Sequence, residues 1–241
     1  MEENSVHLLK NGRTLGSRYV IEGVLGEGGF GITYRGHDKT LDVEVAIKEY
    51  YPQGFVTRNT TYSEELTVSQ SKYTEMFQKV EEDLRYLMEI PDDYDILFQQ
   101  GGATLQFTVV PLNLANNYQR IGYIDTGHWS QRAYQEAELL HKFDVDVIAS
   151  SKDSNYTELV HQVELGNKKY DYVHLTTNNT IEGTMYRDLP SGLDGQTIVA
   201  DMSSNILGQK YNVDDFGLIY AGAQKNIGIA GLTVVIVKRD L

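Results

Sequence analysis

Residues 216–228 read Phe-Gly-Leu-Ile-Tyr-Ala-Gly-Ala-Gln-Lys-Asn-Ile-Gly, an apolar run that passes into small residues and then presents one lysine, Lys225. Another apolar run follows at 232–237. Short apolar runs bounded by glycine are typical of buried strands, so we predict strands at 216–221 and 232–237. A lysine among small residues at a strand end is expected to be poorly hydrated, which favours the neutral, nucleophilic amine. Taken alone, such a lysine would more often extend to the surface.

The sequence before this segment alternates strand-like and helix-like pieces. Apolar runs predict further strands at 95–99, 144–150, 172–176 and 197–200. Apolar residues at three- and four-residue steps predict helices at 73–88, 104–110, 130–142 and 157–165. Strands that alternate with helices indicate an α/β layer with a largely parallel sheet.

The first part of the chain has a different pattern. Alternating apolar residues predict short strands at 18–25, 31–36 and 43–50, and a polar stretch predicts a loop at 57–71. The pattern changes where the helical periodicity begins. We therefore predict two domains, residues 1–72 and residues 73–241.

The composition limits the classes of function. The 241 residues are 41% hydrophobic and carry a net charge of −13, which disfavours binding to nucleic acid or to an anionic membrane. The absence of cysteine excludes disulfides, thiolate metal sites and cysteine nucleophiles, and we predict no metal site. The sequence has no spanning apolar run and no secretory signal pattern, so we expect a cytoplasmic protein.

Several residues suit an aldehyde cofactor held by Lys225. Asp201 follows the apolar run 197–200, and an anion there could keep a pyridine nitrogen protonated. The glycine turn before Ala103 and Thr104 leads into a predicted helix, whose free N–H groups suit a phosphate. Trp129, the only tryptophan, could stack on the ring or be an ordinary core aromatic. A further candidate is Thr180, whose hydroxyl could bond the ring oxygen.

Five sequence blocks together resemble the phosphoserine aminotransferases. These blocks are 99–113, 126–130, 178–183, 200–204 and 220–228. The resemblance implies the α/β large domain of the fold-type I pyridoxal-phosphate transferases, acting as a homodimer. It implies that Lys225 binds pyridoxal 5'-phosphate covalently, that Asp201 pairs with the ring nitrogen and that Trp129 stacks on the ring. The remaining cofactor contacts that it implies are Ala103, Thr104, Thr180 and Gln224.

The resemblance also implies a reaction. It moves an amino group between phosphoserine and glutamate, with 3-phosphohydroxypyruvate and 2-oxoglutarate as the keto acids. Relative to the family, we expect the substrate-binding N-terminal segment to be replaced and the small C-terminal domain to be missing, so an inactive fragment is an alternative.

The first part of the chain resembles the N-lobe of bacterial serine/threonine protein kinases. The glycine-rich hexamer 26–31 and Val-Ala-Ile-Lys at 45–48 carry this resemblance, although Thr33 departs from the usual valine. The resemblance implies a nucleotide grip, with glycines that approach phosphates and a lysine that neutralises them. Its residues would be Gly26, Gly28, Gly31 and Lys48.

Three interpretations therefore remain open. The chain is an aminotransferase, an ATP-binding kinase-like or pseudokinase module, or a non-catalytic scaffold. Because neither family is whole, the join near Ser71 indicates a chimeric reading frame more than a natural fusion.

Overall fold

The structure is a computed structural model that describes residues 7–29, 31–53, 56–58, 66–68 and 70–241. The chain divides into two compact units, residues 1–80 and residues 81–241, here called the first unit and the second unit. The predicted family boundary between residues 72 and 73 stays a prediction, because compactness does not test it.

The first unit is built on an antiparallel sheet of four strands in the order β1-β2-β3-β4. Its strands are β1 Thr14–Leu15, β2 Tyr19–Gly28, β3 Gly31–Asp38 and β4 Val43–Tyr50, and a separate pair is β5 Val56–Arg58 and β6 Leu66–Val68. Helix α1 Gln70–Met88 contains the boundary between the units. The three strands predicted in this region are confirmed. Within the predicted loop 57–71, residues 66–68 form a strand, while 59–65 and 69 lie outside the described residues.

A small core supports the first sheet. Ile21 on β2 packs with Ile32 and Tyr34 on β3, and all three side chains are fully buried. The opposite face of β4 is exposed, as expected for an antiparallel sheet with one covered face.

The second unit is built on a mixed sheet of seven strands in the order β7-β15-β14-β13-β10-β8-β9. The strands of this unit are β7 Tyr94–Gln100, β8 Arg120–Asp125, β9 Asp144–Ser150, β10 Tyr172–Thr176, the short pair β11 Asn178–Asn179 and β12 Thr184–Met185, then β13 Ile198–Asp201, β14 Leu218–Gly222 and β15 Leu232–Lys238. The helices that follow α1 are α2 Gln106–Leu114 and α3 His128–Leu139. Among the described residues, no helix combines the length and apolar character needed to cross a bilayer.

Strand direction sets where chemistry can occur. Strands β14, β13, β10, β8 and β9 run parallel, while β15 is antiparallel to both β14 and β7. The carboxyl ends of all strands except β15 therefore meet at one edge of the sheet. In open α/β sheets, ligands bind beyond this edge.

Both faces of the second sheet are buried, which explains its nearly continuous apolar strands. On one face, α2 and α3 contribute Phe107, Val110 and Ala133 to a cluster with the sheet. On the other face, Leu84 of α1 packs with side chains from irregular segments, including Val163 and Phe216. The predicted α/β layer is confirmed.

In the second unit, a predicted helix and one strand of the second sheet differ from the sequence prediction. The predicted helix at 157–165 is wrong, because this segment is irregular and Gln162 forms an isolated bridge with Ser191. Its apolar residues pack into the core from an irregular backbone, so their helical spacing does not reflect a helix. Strand β8 was missed, because it is bounded by charged residues and interrupted by Gly122, which weakens a strand pattern.

Candidate active site

A cavity lies at the carboxyl edge of the second sheet. Six residues singled out from the sequence line it: Ala103, Thr104, Trp129, Asp201, Gln224 and Lys225. Asp201 ends β13, Trp129 lies in the first turn of α3, and the other four lie in segments that follow β7 and β14. The fold therefore brings residues up to 122 positions apart in sequence into one site.

Asp201 is the last residue of β13 and is almost completely buried. Its carboxylate accepts hydrogen bonds from the Ser203 amide at 2.9 Å and the Ser203 hydroxyl at 2.6 Å. Burial raises the pKa of Asp201, whereas the Ser203 donors and the charge of Lys225 lower it, and burial dominates. The site thus contains a carboxylate that would gain from a cationic hydrogen-bond donor.

Lys225 lies in a single 3-10 turn, Ala223–Lys225, directly after β14. Its Nζ stands 5.2 Å from the centroid of the Trp129 ring, within the range of a cation–π contact. Trp129 reaches this position from the second residue of α3. The amine and the indole face are therefore adjacent, as a ring-binding site requires.

The expectation that Lys225 is shielded from water is wrong for this structure. The side chain is exposed, and the residues after it, up to Gly231, are mostly exposed as well. The small neighbours Ala221 on β14 and Ala223 in the turn are buried, but the lysine side chain that follows them is not. The small residues are buried, as their sequence suggested, but their presence did not predict the exposure of the lysine side chain.

The turn before α2 forms another part of the cavity wall. Gly101 has φ +102°, a conformation that favours glycine, and it turns the chain into the 3-10 segment Ala103–Leu105. This turn packs closely on the end of β14, since a Cβ added at Gly222 would lie 3.3 Å from Ala103 Cβ. A helix beginning at such a turn favours an anion at its N-terminus.

Thr180 is the one predicted cofactor contact outside this lining. It is exposed in the turn between β11 and β12, whereas Asn178 and Thr176 of the same segment face the cavity. Its predicted bond to the ring oxygen stays a prediction.

Sequence reasoning also missed lining residues: Gly102, Phe107, Thr176, Asn178, Ser203 and Ser204. Thr176 pairs with Asp201 across neighbouring parallel strands, which could have been anticipated only with the strand register known. Ser203 lies two residues after Asp201, and its hydroxyl also accepts a bond from the Gly222 amide at 3.0 Å. It therefore links the ends of β13 and β14.

Within the described part of the chain, two buried polar atoms lack hydrogen-bond partners, which bears on whether a polar cofactor fits the site. The indole Nε1 of Trp129 and the hydroxyl of Thr176 are buried without a hydrogen-bond partner among the described residues. Buried polar groups are normally satisfied, so unpaired ones in a cavity wall indicate a ligand or ordered water. With the buried anion of Asp201 and the amine of Lys225, the residues fit pyridoxal phosphate.

A buried polar pair lies beneath the site. The Nε2 atom of His174 is 2.8 Å from the Tyr220 hydroxyl, and both side chains face the same side of the sheet as Asp201. Burial lowers the pKa of His174 to about 3, so the imidazole is neutral at physiological pH. Burial also raises the pKa of Tyr220 well above its ordinary value, with the Asp201 charge as a second cause.

The residues proposed for nucleotide binding lie in the first unit. Gly26, Thr33 and Lys48 are neighbours across β2, β3 and β4, and Gly28 pairs with Gly31 at the end of the β2–β3 hairpin. Lys48 is exposed. Phe30 of the glycine-rich hexamer lies outside the described residues.

Comparison with known proteins identifies the family of the second unit and part of the first. The family described as Aminotransferase class-V matches residues 38–241. The phosphoserine aminotransferase of Bacillus thuringiensis subsp. konkukian is 59% identical over 159 residues, covering 66% of this chain and 43% of that protein. The chain thus spans less than half the length of this relative.

Two solved structures agree in fold. Phosphoserine aminotransferase from Bacillus circulans subsp. alkalophilus has a TM-score of 0.66 and 40% identity, covering 70% of this chain and 46% of that one. The pyridoxal-phosphate-bound phosphoserine aminotransferase of Trichomonas vaginalis has a TM-score of 0.61 and 30% identity, covering 70% and 47%. These matches confirm the predicted fold-type I transferase architecture. This chain belongs to the class-V aminotransferase family.

Proposed function

We propose that the second unit binds pyridoxal 5'-phosphate and supplies residues for the transamination that phosphoserine aminotransferases catalyse. One observation carries the proposal: Lys225 and Asp201 lie at the ends of neighbouring strands, in one cavity, beside the indole of Trp129. An amine, a buried carboxylate and a flat aromatic surface are the three groups that a pyridine aldehyde requires.

Asp201 binds the ring nitrogen in this proposal. Its carboxylate is fixed by two Ser203 donors, and burial strengthens its attraction for a cationic N–H. When bound, the cofactor supplies a protonated ring that serves as the electron sink for transamination. Ser203 orients the carboxylate and also connects it to the backbone of Gly222.

Lys225 has two tasks. Its amine would hold the cofactor covalently, and the same amine, when free, would serve first as the base and then as the acid that moves the proton of the substrate α-carbon. Its exposed position leaves it accessible to an incoming substrate. The turn at Ala103 and Thr104, leading into α2, is suited to bind the cofactor phosphate, and Gln224 lines the same cavity.

The substrates follow from the relatives, whose names state phosphoserine aminotransferase activity. We propose phosphoserine and 3-phosphohydroxypyruvate with glutamate and 2-oxoglutarate, in serine biosynthesis, and a cytoplasmic homodimer. The carboxylate and phosphate of these substrates need cationic partners that the cavity lining lacks, apart from Lys225. A second subunit or further sequence would have to supply them.

The decisive experiment compares the variant Lys225→Ala with Lys152→Ala, which removes an exposed lysine after β9. We expect the wild type and Lys152→Ala to develop the long-wavelength absorbance of covalently bound pyridoxal phosphate, and Lys225→Ala to develop none. Borohydride reduction followed by peptide mass mapping should place the label on Lys225. A label elsewhere, or an unchanged band in Lys225→Ala, would refute the proposal.

For the first unit we propose, as a second candidate function, a kinase N-lobe-like nucleotide grip. The row of Gly26, Thr33 and Lys48 across three strands supports it, since it sets a glycine hairpin beside an exposed lysine. ATP with magnesium should then raise the melting temperature, and Lys48→Ala should abolish the rise while Lys39→Ala keeps it. Together with the aminotransferase unit this would make the chain a chimera, which sequencing one transcript across residue 71 tests.

A further inference from the structure

Glu182 contacts the N-terminus of the helix that carries Trp129. It lies in the turn between β11 and β12, and its Oε1 accepts a hydrogen bond of 2.8 Å from the backbone N–H of His128, the first residue of α3. The two residues are 54 positions apart in sequence. The contact therefore ties a separate hairpin to the first turn of α3.

Gly127 makes this approach possible. A Cβ added to Gly127 would lie 2.5 Å from the carboxyl carbon of Glu182, closer than real side chains come to one another. Any other residue at position 127 would push the carboxylate away from the helix. The contact between Glu182 and His128 therefore requires both the carboxylate of Glu182 and the missing side chain of Gly127.

Two backbone donors just before the helix are bonded to a residue of its first turn. Ser130 Oγ accepts from the amides of Thr126 at 2.9 Å and Gly127 at 3.0 Å. The carboxylate of Glu182 adds the negative charge that a helix N-terminus favours. Its second oxygen is buried without a hydrogen-bond partner among the described residues, so the contact to His128 is its anchor.

A second bond reinforces the same connection. Asn179, on β11, donates to the Thr126 hydroxyl at 3.1 Å, so the β11–β12 hairpin is bonded both to the loop before α3 and to the first residue of α3. Trp129 follows His128 directly, lines the cavity and has its ring facing Lys225. Displacement of the first turn of α3 would therefore move the indole.

We propose that Glu182 is a positioning residue, which holds the first turn of α3 so that the Trp129 indole is set before any cofactor arrives. The consequence for cofactor affinity rests on the proposed function. The consequence for Trp129 itself does not, because it concerns the ligand-free protein.

Trp129 is the only tryptophan, so intrinsic fluorescence reports on this position alone. In the ligand-free chain, Glu182→Ala should shift the emission to longer wavelength and make it more accessible to acrylamide. Glu182→Gln, which keeps an acceptor for His128 but loses the charge, should fall between Glu182→Ala and the wild type. The control Glu158→Ala removes an exposed carboxylate elsewhere and should leave the emission unchanged. Emission in Glu182→Ala identical to the wild type would overturn the proposal.

Pyridoxal-phosphate titration, followed by quenching of the same emission, gives the second measurement. A loosened helix turn must be ordered on binding, so Glu182→Ala should bind about three- to tenfold more weakly, the equivalent of a lost helix cap. Gly127→Ala should reproduce the effect, because its methyl group displaces the carboxylate. If the wild type binds no cofactor, the proposed function fails while the emission shift still tests Glu182. If the wild type binds and both variants bind equally well, the positioning role is wrong.

Discussion

Burial favours the protonated form of Asp201, whereas its proposed role requires the carboxylate. The carboxyl has an ordinary pKa of 3.8, and loss of water at the end of β13 raises its pKa in the folded chain. Between these two values the folded state binds a proton that the unfolded state has released. The contribution to stability is therefore fully present below pH 3.8 and is lost as the pH rises through the folded-state pKa.

Asp201→Asn tests this opposition. The amide cannot ionise, so the ligand-free variant should lose less stability than the wild type between pH 4 and pH 7, as measured by thermal unfolding. Its affinity for pyridoxal phosphate should fall at least about tenfold, because a neutral amide forms a weaker bond to the ring N–H than a carboxylate does. Asp194→Asn, an exposed site, is the matched control. Cofactor binding by Asp201→Asn at wild-type strength would contradict the assigned role of Asp201.

At the scale of elements, the path of the irregular segment 157–165 depends on one glycine, Gly192. Gly192 has φ +87°, and a Cβ there would lie 2.0 Å from the carbonyl oxygen of Val163. This close approach allows the Val163 amide to bond the Ser191 carbonyl at 2.9 Å. It also lets the Val163 side chain enter the core, which is why this stretch does not coil into the predicted helix.

Gly192→Ala should therefore be strongly destabilising. We expect the free energy of unfolding to fall by about 2–4 kcal/mol, because a strained φ is combined with a steric clash against backbone. Gly195→Ala is a matched control in the same loop, with φ +75° but nothing within 4 Å of the added Cβ. It should cost about 1 kcal/mol, the backbone strain alone. Urea unfolding of both variants measures the difference, and equal losses would show that the Val163 contact has no role.

At the scale of the whole molecule, two units carry two separate candidate sites. The cavity with Lys225 is made entirely of residues from the second unit, and the row from Gly26 to Lys48 belongs entirely to the first. Each candidate function can therefore be assigned by where a ligand slows hydrogen exchange. A ligand that binds only the folded state, at a free concentration 100 times its Kd, stabilises that state by about 2.7 kcal/mol.

Hydrogen exchange with mass spectrometry should separate the two. Pyridoxal phosphate should protect segments around the cavity, namely 101–105, 126–130, 201–204 and 222–226, and leave residues 14–50 unchanged. ATP with magnesium should protect 26–31 and 43–50 if the nucleotide grip exists. Protection of the first unit by pyridoxal phosphate, or none anywhere, would contradict the assignment of the cofactor to the second unit.

Some features of this molecule were accessible from local sequence. Apolar runs located β7, β9, β10, β13, β14 and β15 to within about two residues, because a buried strand needs consecutive apolar side chains wherever its partners lie. The block around Lys225 and four other blocks carried the family resemblance that implied the fold type, and some of their small residues are closely packed, as Gly222 is against Ala103. The irregular segments could not be predicted this way.

The sequence by itself determined six of the seven strands of the second sheet and the candidate chemistry of Lys225 and Asp201, and its family resemblance implied the fold type. Only the tertiary structure decided that Lys225 is exposed, that Ser203 and Thr176 join the cavity, and that Glu182 anchors the helix of Trp129. The physical reason is range. Strand and turn preferences depend on neighbouring residues, whereas burial and hydrogen-bond partners depend on segments that are distant in sequence and meet only when the sheet has formed.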